Sequence, residues 1–329
     1  MVTSKETEYI PITLNAIKVD TMRSFDIFIK HKKNKTVLYH TGGDLFTSEV
    51  RDKLLENNIS VLYIRKLDYG AYEQYIEDNL GHLLTDSEIN NEEKSNLAHS
   101  SVSNLAKSLF SHPNGKIIRR YKESISSTMD FILKEEEAIY NLIRLTNYDF
   151  STYTHSVNVG IFSIGLAKAL FADKSDHNMQ EIASGFFLHD IGKCNISHEI
   201  LNKNGPLTEV EWEKMKKHPF LGYQLLKKFN ALTEEAKVIV MEHHERYNGK
   251  GYPNGLKGDK IHIYSKICCI SDVFEALTAR RPYKTSKSSF DALKIMKNEM
   301  IHEFDPHFFE QFVLLFQKSN LFNNKKAPE

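Results

Sequence analysis

From about residue 151 onward, apolar residues return at helical spacing in one segment after another. These segments are VNVGIFSIGLAKALF at 157–171, MQEIASGFFLHDIGK at 179–193, EVEWEKMKKHPFLGYQLLKKF at 209–229, EEAKVIVMEHHERY at 234–247, IYSKICCISDVFEALTA at 263–279, SSFDALKIMKNEM at 288–300 and FDPHFFEQFVLLFQKS at 304–319. Each is expected to form one helix. A half-chain patterned in this way folds as packed helices, and a site inside it must be assembled from side chains on several of them.

The part before it reads differently. Over 8–83, YIPITL, FDIFIKH, TVLYH and ISVLYIRK have β character, with KKNK as a turn between the second and third. FTSEVRDKLLENN reads as a helix opened by Thr47, and Tyr69 to Leu83 as a second one. Two further helical patterns, near 90–111 and 115–146, are separated by SHPNG, where Pro113 and Gly115 break the signal. The expected fold class is therefore mainly α, with an all-helical C-terminal domain preceded by a small α/β or α+β module. The expected organisation is a regulatory or interaction module over 1–85, a helical connector over 86–147, a helical domain over 148–320 and a disordered tail over 321–329.

Composition narrows the function classes. Lys plus Arg and Asp plus Glu each number 43, for a formal net charge of +0, so nothing global points to a nucleic-acid polymer or an anionic membrane as partner. The three cysteines include an adjacent pair and no CxxC, which argues against a disulfide framework or a cysteine zinc cluster and fits a reducing cytoplasm. Cys194, Cys268 and Cys269 read as small core residues. No apolar run approaches the roughly 20 residues needed to span a bilayer, and the N-terminus lacks the pattern of a signal peptide. The expectation is a cytoplasmic protein without membrane insertion.

The residues that carry chemistry are His155, His189, Asp190, His218, His243, His244 and Asp272. Each offers a metal an imidazole nitrogen or a carboxylate oxygen. A carboxylate such as Asp190 is able to bridge two cations and offset their repulsion, and two cations about 3.5–4 Å apart can activate a hydroxide and neutralise a phosphoryl oxygen together. Spacing alone does not prove a dinuclear site, since His155 also reads as a surface histidine and His218, before Pro219, as a helix-end cap.

Residues 151–315 resemble the HD-GYP domain, a subgroup of the HD phosphohydrolase superfamily. The resemblance rests on HSVNV at 155–159, HDIGK at 189–193, LNKNGPLTEVEWEKMKKHPFLG at 201–222, HHERYNGKGYPNGLKGDKI at 243–261, SDVFEALTARRPYK at 271–284 and FDP at 304–306. It covers about half the chain in unbroken order. It implies an iron or manganese centre that linearises or fully hydrolyses the bacterial messenger cyclic di-GMP. Carried over by position, His155, His189, Asp190 and Asp272 would hold one metal and His218, His243 and His244 the other, with Asp190 bridging. Lys193, three residues after Asp190, resembles the family lysine that contacts water or phosphate. Some members hold a third metal with a glutamate four residues before the first histidine; Ser151 stands there, so the resemblance implies two metal ions, iron first and manganese second.

The loop NGKGYPNGLKG supplies the signature of the family. Its glycines permit tight turns and close approach to a ligand. Tyr252 is suited to stack on a guanine or hydrogen-bond a phosphate. Arg281 and Lys284 resemble the family's phosphate and guanine contacts. Two departures stand out: Asn248 replaces the usual Asp of HHExxDGxGYP, and Glu275 occupies a position usually held by Asp. They motivate one alternative, a weakly catalytic receptor for cyclic di-GMP; two others are a hydrolase of another cyclic dinucleotide or nucleotide phosphate, and an interaction module with structural metals, against which the intact ligand set argues. The expected product is pGpG, degraded onward to GMP in some settings. A homodimer or a protein partner meeting the N-terminal module is also expected.

Overall fold

The computed structural model describes residues 8–21, 23–31, 35–146, 151–171, 176–280 and 287–318. It comprises two compact units, Met1–Ser101 and Val102–Glu329.

The first unit contains β1 (Tyr9–Thr13), β2 (Ile27–His31), β3 (Lys35–His40), α1 (Ser48–Glu56), β4 (Val61–Arg65) and α2 (Tyr69–Thr85). The unit boundary falls inside α3 (Asn91–Ser111). Every strand pairing is antiparallel, in the order β1-β4-β2-β3. Along β4, Leu62 and Ile64 are buried while Val61 is exposed, the two-residue alternation of a sheet with one face on a core. Pro11 is accommodated because β1 is an edge strand, where a missing N–H breaks no ladder on the outer side. The Thr47 side chain accepts from the Val50 amide and caps α1, as its position in the sequence suggests. The unit is thus α+β, within the fold class read from sequence.

The second unit is helical: α4 (Gly115–Lys134), α5 (Ala138–Leu145), α6 (Thr152–Phe171), α7 (Met179–Leu188), α8 (His198–Leu201), α9 (Glu209–Met215), α10 (His218–Lys228), α11 (Glu234–Glu242), α12 (Ile263–Thr278), α13 (Ser289–Glu299) and α14 (Pro306–Lys318). Its centre is α6, buried at every position from His155 to Ala167. A helix apolar on all sides belongs inside a bundle, and α6 packs against α5, α7, α12 and α14. Phe162, Phe274, Phe312 and Phe316 meet in this core with ring centroids 4.5–5.6 Å apart. Among the described residues no helix is long and apolar enough to cross a membrane.

Three sequence expectations change in detail. The pattern over 115–146 is two helices, because Glu135, Glu136 and Glu137 interrupt it; acidic residues oppose the negative C-terminal end of α4 and suit the N-terminal end of α5. The pattern over 209–229 is also two helices, divided at Lys216–Lys217, so that Pro219 lies in the first turn of α10, where its missing N–H costs nothing. The α7 helix stops at Leu188, and Ile191–Asn195 form a 3₁₀ turn instead of continuing it.

That 3₁₀ turn packs closely on α10. A Cβ on Gly192 would collide with the His218 carbonyl oxygen and the Gly222 amide nitrogen, so the approach requires glycine. Gly192→Ala is expected to cost about 1–3 kcal/mol through overpacking. Denaturant unfolding checks this: the midpoint should fall at an unchanged slope, and an unchanged midpoint would show that the contact gives way freely.

Candidate metal centre

Five places in the helical unit deliver their side chains to one buried point. His155 lies in the first turn of α6. His189 follows the end of α7, and Asp190 begins the 3₁₀ turn. His218 opens α10, His243 and His244 follow α11, and Asp272 lies within α12. The ligand atoms of Asp190, His218, His243 and His244 lie within 4.8 Å of one another, as do those of His155, His189 and Asp190. Asp190 belongs to both groups.

Its two oxygens face different ways. Oδ2 lies 3.2 Å from His155 Nε2 and 3.5 Å from His189 Nε2, while Oδ1 lies 3.2 Å from His218 Nε2 and 3.7 Å from His243 Nε2. Asp272 spans the same divide, with Oδ1 3.2 Å from His155 Nε2 and Oδ2 3.5 Å from His244 Nδ1. All seven residues selected from the sequence are therefore brought together.

The hydrogen bonds behind the rings decide whether this cluster fits a cation. Nδ1 of His189 lies 2.8 Å from the Phe186 carbonyl, Nδ1 of His218 lies 2.8 Å from the Met215 carbonyl, and Nδ1 of His243 lies 3.0 Å from the Val240 carbonyl. A carbonyl only accepts, so each Nδ1 carries the proton, and in the neutral ring each Nε2 presents a lone pair to the centre. Nε2 of His218 and of His243 lie 3.1 Å apart, two acceptors facing each other without a proton between them. Nε2 of His189 and Oδ1 of Asp190 are buried without a hydrogen-bond partner. Converging lone pairs and a carboxylate, held from behind by backbone carbonyls, form a donor set that a cation satisfies.

Electrostatics separates the histidines. Burial opposes charge on His155, but Glu275, Asp190 and Asp272 outweigh it and hold the ring well above its ordinary pKa. Burial pushes His243 down to about 4. Burial, reinforced by His243, holds His244 well below its ordinary value. Burial acts to raise Asp190, yet Lys193 and His189 prevail and keep it well below the carboxylate range. Asp272 is likewise held low against its burial, chiefly by hydrogen bonding to His155.

Lys193 reaches Asp190 Oδ2 at 2.5 Å from the 3₁₀ turn, so the three-residue spacing works without a continuing α-helix. Tyr252 stacks on His244 with centroids 4.6 Å apart, and burial pushes its phenol above its ordinary pKa, so the hydroxyl keeps its proton. Arg281 and Lys284 lie outside the described residues.

Two contributors, Asn158 and Glu245, have no role assigned by sequence reasoning, and Glu275 enters there only as a departure that alters hydrogen bonds around the metals. Glu275 puts Oε2 2.5 Å from His155 Nδ1, and Asn158 donates to its other oxygen at 3.3 Å. The signal was spacing: Glu275 follows Asp272 by three residues and Asn158 follows His155 by three, each on one helical face. Buried Glu245 accepts from the amides of Asn254 at 2.7 Å and Leu256 at 2.9 Å, fastening the glycine-rich loop beside the cluster. Both departures from the family pattern retain a hydrogen-bonding job, since Asn248 Oδ1 accepts from the Lys250 amide at 2.9 Å and turns that loop.

Comparison with known proteins agrees with this geometry. The family model of the HD domain matches residues 137–308. A cyclic di-GMP phosphodiesterase of Pseudomonas aeruginosa is 35% identical over 182 residues, 55% of this chain and 43% of that protein. A 3'3'-cGAMP-specific phosphodiesterase of Vibrio cholerae is 35% identical over 161 residues, 48% of this chain and 34% of that protein. The chain spans about half the length of the curated relatives it matches. A solved structure of a HDG"Y"P protein from Bdellovibrio bacteriovorus superposes with a TM-score of 0.64, at 21% identity, over 94% of this chain and 100% of that one; it shares the fold.

Two outcomes follow. With carboxylates facing both ring nitrogens, His155 should be a doubly protonated imidazolium in the metal-free protein at a pH above the ordinary histidine value of about 6.5. Nitrogen NMR should show one such ring, lost when a divalent cation is added; only neutral rings would contradict the assignment. Glu275→Ala removes the carboxylate behind His155 and should weaken cation affinity about 10- to 100-fold, read by competition with a chelator dye.

Proposed function

The chain belongs to the HD domain family, and from that premise we propose that its helical unit hydrolyses cyclic di-GMP at a two-cation centre bridged by Asp190. The observation that carries this reading is the division of Asp190, whose two oxygens face two separate sets of imidazoles. In the proposed arrangement His155, His189 and Asp272 complete one cation site, and His218, His243 and His244 complete the other. Asp272 also borders the second set through its other oxygen. Imidazole and carboxylate donors admit both iron and manganese, and the family resemblance puts iron first and manganese second. When bound, such a pair supplies a strong nucleophile from water at neutral pH and neutralises phosphoryl oxygens.

The protein's own groups do the rest. The Lys193 ammonium offsets the Asp190 charge at rest and is placed to meet the charge that grows on phosphate or on the leaving 3′ oxygen, delivering a proton there through water. Tyr252, with its hydroxyl protonated, offers a donor above His244. Arg281 and Lys284 are proposed contacts to the second phosphate and the bases. Water adds to phosphorus, the bond to the 3′ oxygen breaks, that oxygen takes the proton, and pGpG results, with GMP if the linear product is cut again. The catalytic part is proposed to span 148–320. The first unit, which holds no comparable cluster among its described residues, is proposed as the regulatory module, meeting a protein partner or a second copy. A cytoplasmic location accompanies this reading.

A second reading, hydrolysis of a mixed guanine–adenine cyclic dinucleotide, is favoured by the relatives named 3'3'-cGAMP-specific phosphodiesterases. The receptor reading loses its motive, because Glu275 still reaches His155 and Asn248 still turns its loop.

Anaerobic incubation with ferrous iron or manganese and cyclic di-GMP, followed by chromatography, tests the proposal. The expected result is pGpG or GMP from the wild type and none from Asp190→Ala. Lys193→Ala should lower kcat by about 100-fold or more with KM changed far less. Bound nucleotide without product would make the chain a receptor, and turnover of 3'3'-cGAMP alone would select the second substrate.

A further inference from the structure

Outside the metal cluster, the short helix α9 has an unusual composition for its place. It has no buried residue, yet it carries Trp212 with 44% of its surface exposed. Core packing therefore does not account for the indole, and an exposed large aromatic beside a site is a surface suited to an apolar ligand face. Its position is fixed from both sides. Thr208 and Glu211 form a reciprocal capping box at the start of α9. The Trp212 ring meets Tyr252 edge-on, with centroids 5.9 Å apart and planes at 78°. Tyr252 in turn stacks on His244 at 4.6 Å and 27°.

Three rings thus lead outward from the candidate metal cluster to solvent: His244 half-buried among the other candidate ligands, Tyr252 half-buried, Trp212 exposed. The ring centroids step 4.6 Å from His244 to Tyr252 and 5.9 Å from Tyr252 to Trp212. The acidic neighbours of Trp212 would repel a phosphodiester only if free, and they are not. Glu211 is held by Lys203 at 2.5 Å and by the Thr208 amide at 2.7 Å, and Glu213 is paired with Lys216 at 2.6 Å. Stacking on an indole is strong and indifferent to base identity, because every base has a π-face.

We propose that Trp212 is the stacking platform for one base of the cyclic dinucleotide, supplying affinity without selecting guanine over adenine. This rests on the proposed hydrolase reading, which it deepens by naming the group that holds the base.

Trp212 is the sole tryptophan of the chain, so its fluorescence reports on this contact directly. Titrating the metal-loaded full chain with cyclic di-GMP should quench and shift its emission. Trp212→Ala should raise KM by roughly 5- to 150-fold with a much smaller change in kcat, and Trp212→Phe should recover most of the loss. KM should rise by a similar factor for 3'3'-cGAMP if that substrate is turned over. A thermal melt of Trp212→Ala matching the wild type excludes misfolding, as expected for a helix without core residues. Turnover by the wild type with no emission change, or with an unaltered KM in Trp212→Ala, overturns the platform and leaves the hydrolase standing. Quenching without turnover by the wild type keeps the platform and overturns the hydrolase. Neither quenching nor turnover overturns both.

Discussion

The carboxylate of Asp190 has no exposure to water, and the helical unit is arranged around the requirement that it be satisfied there. A buried charge without partners is among the costliest things a protein interior can hold. Here Lys193 from its own turn and His155 from α6 meet one oxygen, while the lone pairs of His189, His218 and His243 converge on the same point and leave the remaining demand to a cation. The ends of α7 and α11 fall where these side chains must turn inward. Gly192 lets α10 approach closely enough for His218 to reach the second oxygen. The departure of the chain from regular helix at these points is thus tied to a single charged group.

Support behind the ligands follows one pattern. Three imidazoles are oriented by carbonyls of the preceding helical turn, so helix ends both terminate the backbone and aim the rings. His155 differs: it lies in the first turn of α6, and Glu275 of α12 supplies the acceptor behind its ring. Glu275, together with Asp190 and Asp272, draws His155 toward the charged form, while burial holds His243 and His244 neutral. The longer stem of Glu, where the family pattern has Asp, reaches across from α12 to α6.

Much of this was legible in the sequence. The seven ligand candidates stand in quoted motifs, and apolar spacing located α6, α11 and α12 within a few residues. The breaks were less legible. Lys216–Lys217 has no glycine, and its interruption of α9 and α10 comes from the need to start α10 at His218 and Pro219, a tertiary demand. The 3₁₀ turn after Asp190 was equally hidden, since IGK is compatible with helix until His218 occupies the space beside Gly192. Glu275 and Asn158 lie at helical spacing from candidate ligands, but spacing names a face and does not say which neighbour it meets. The role of Glu245 in tying the loop through two backbone amides depends on where the loop folds back, which local pattern does not carry.

The central proposal is that Asp190 would bridge two cations. Anomalous X-ray diffraction from crystals of the manganese-loaded protein tests it most directly. The account predicts two peaks flanking Asp190, one beside each carboxylate oxygen, about 3.5–4 Å apart. A single peak, or a pair that leaves either oxygen of Asp190 uncoordinated, would contradict it.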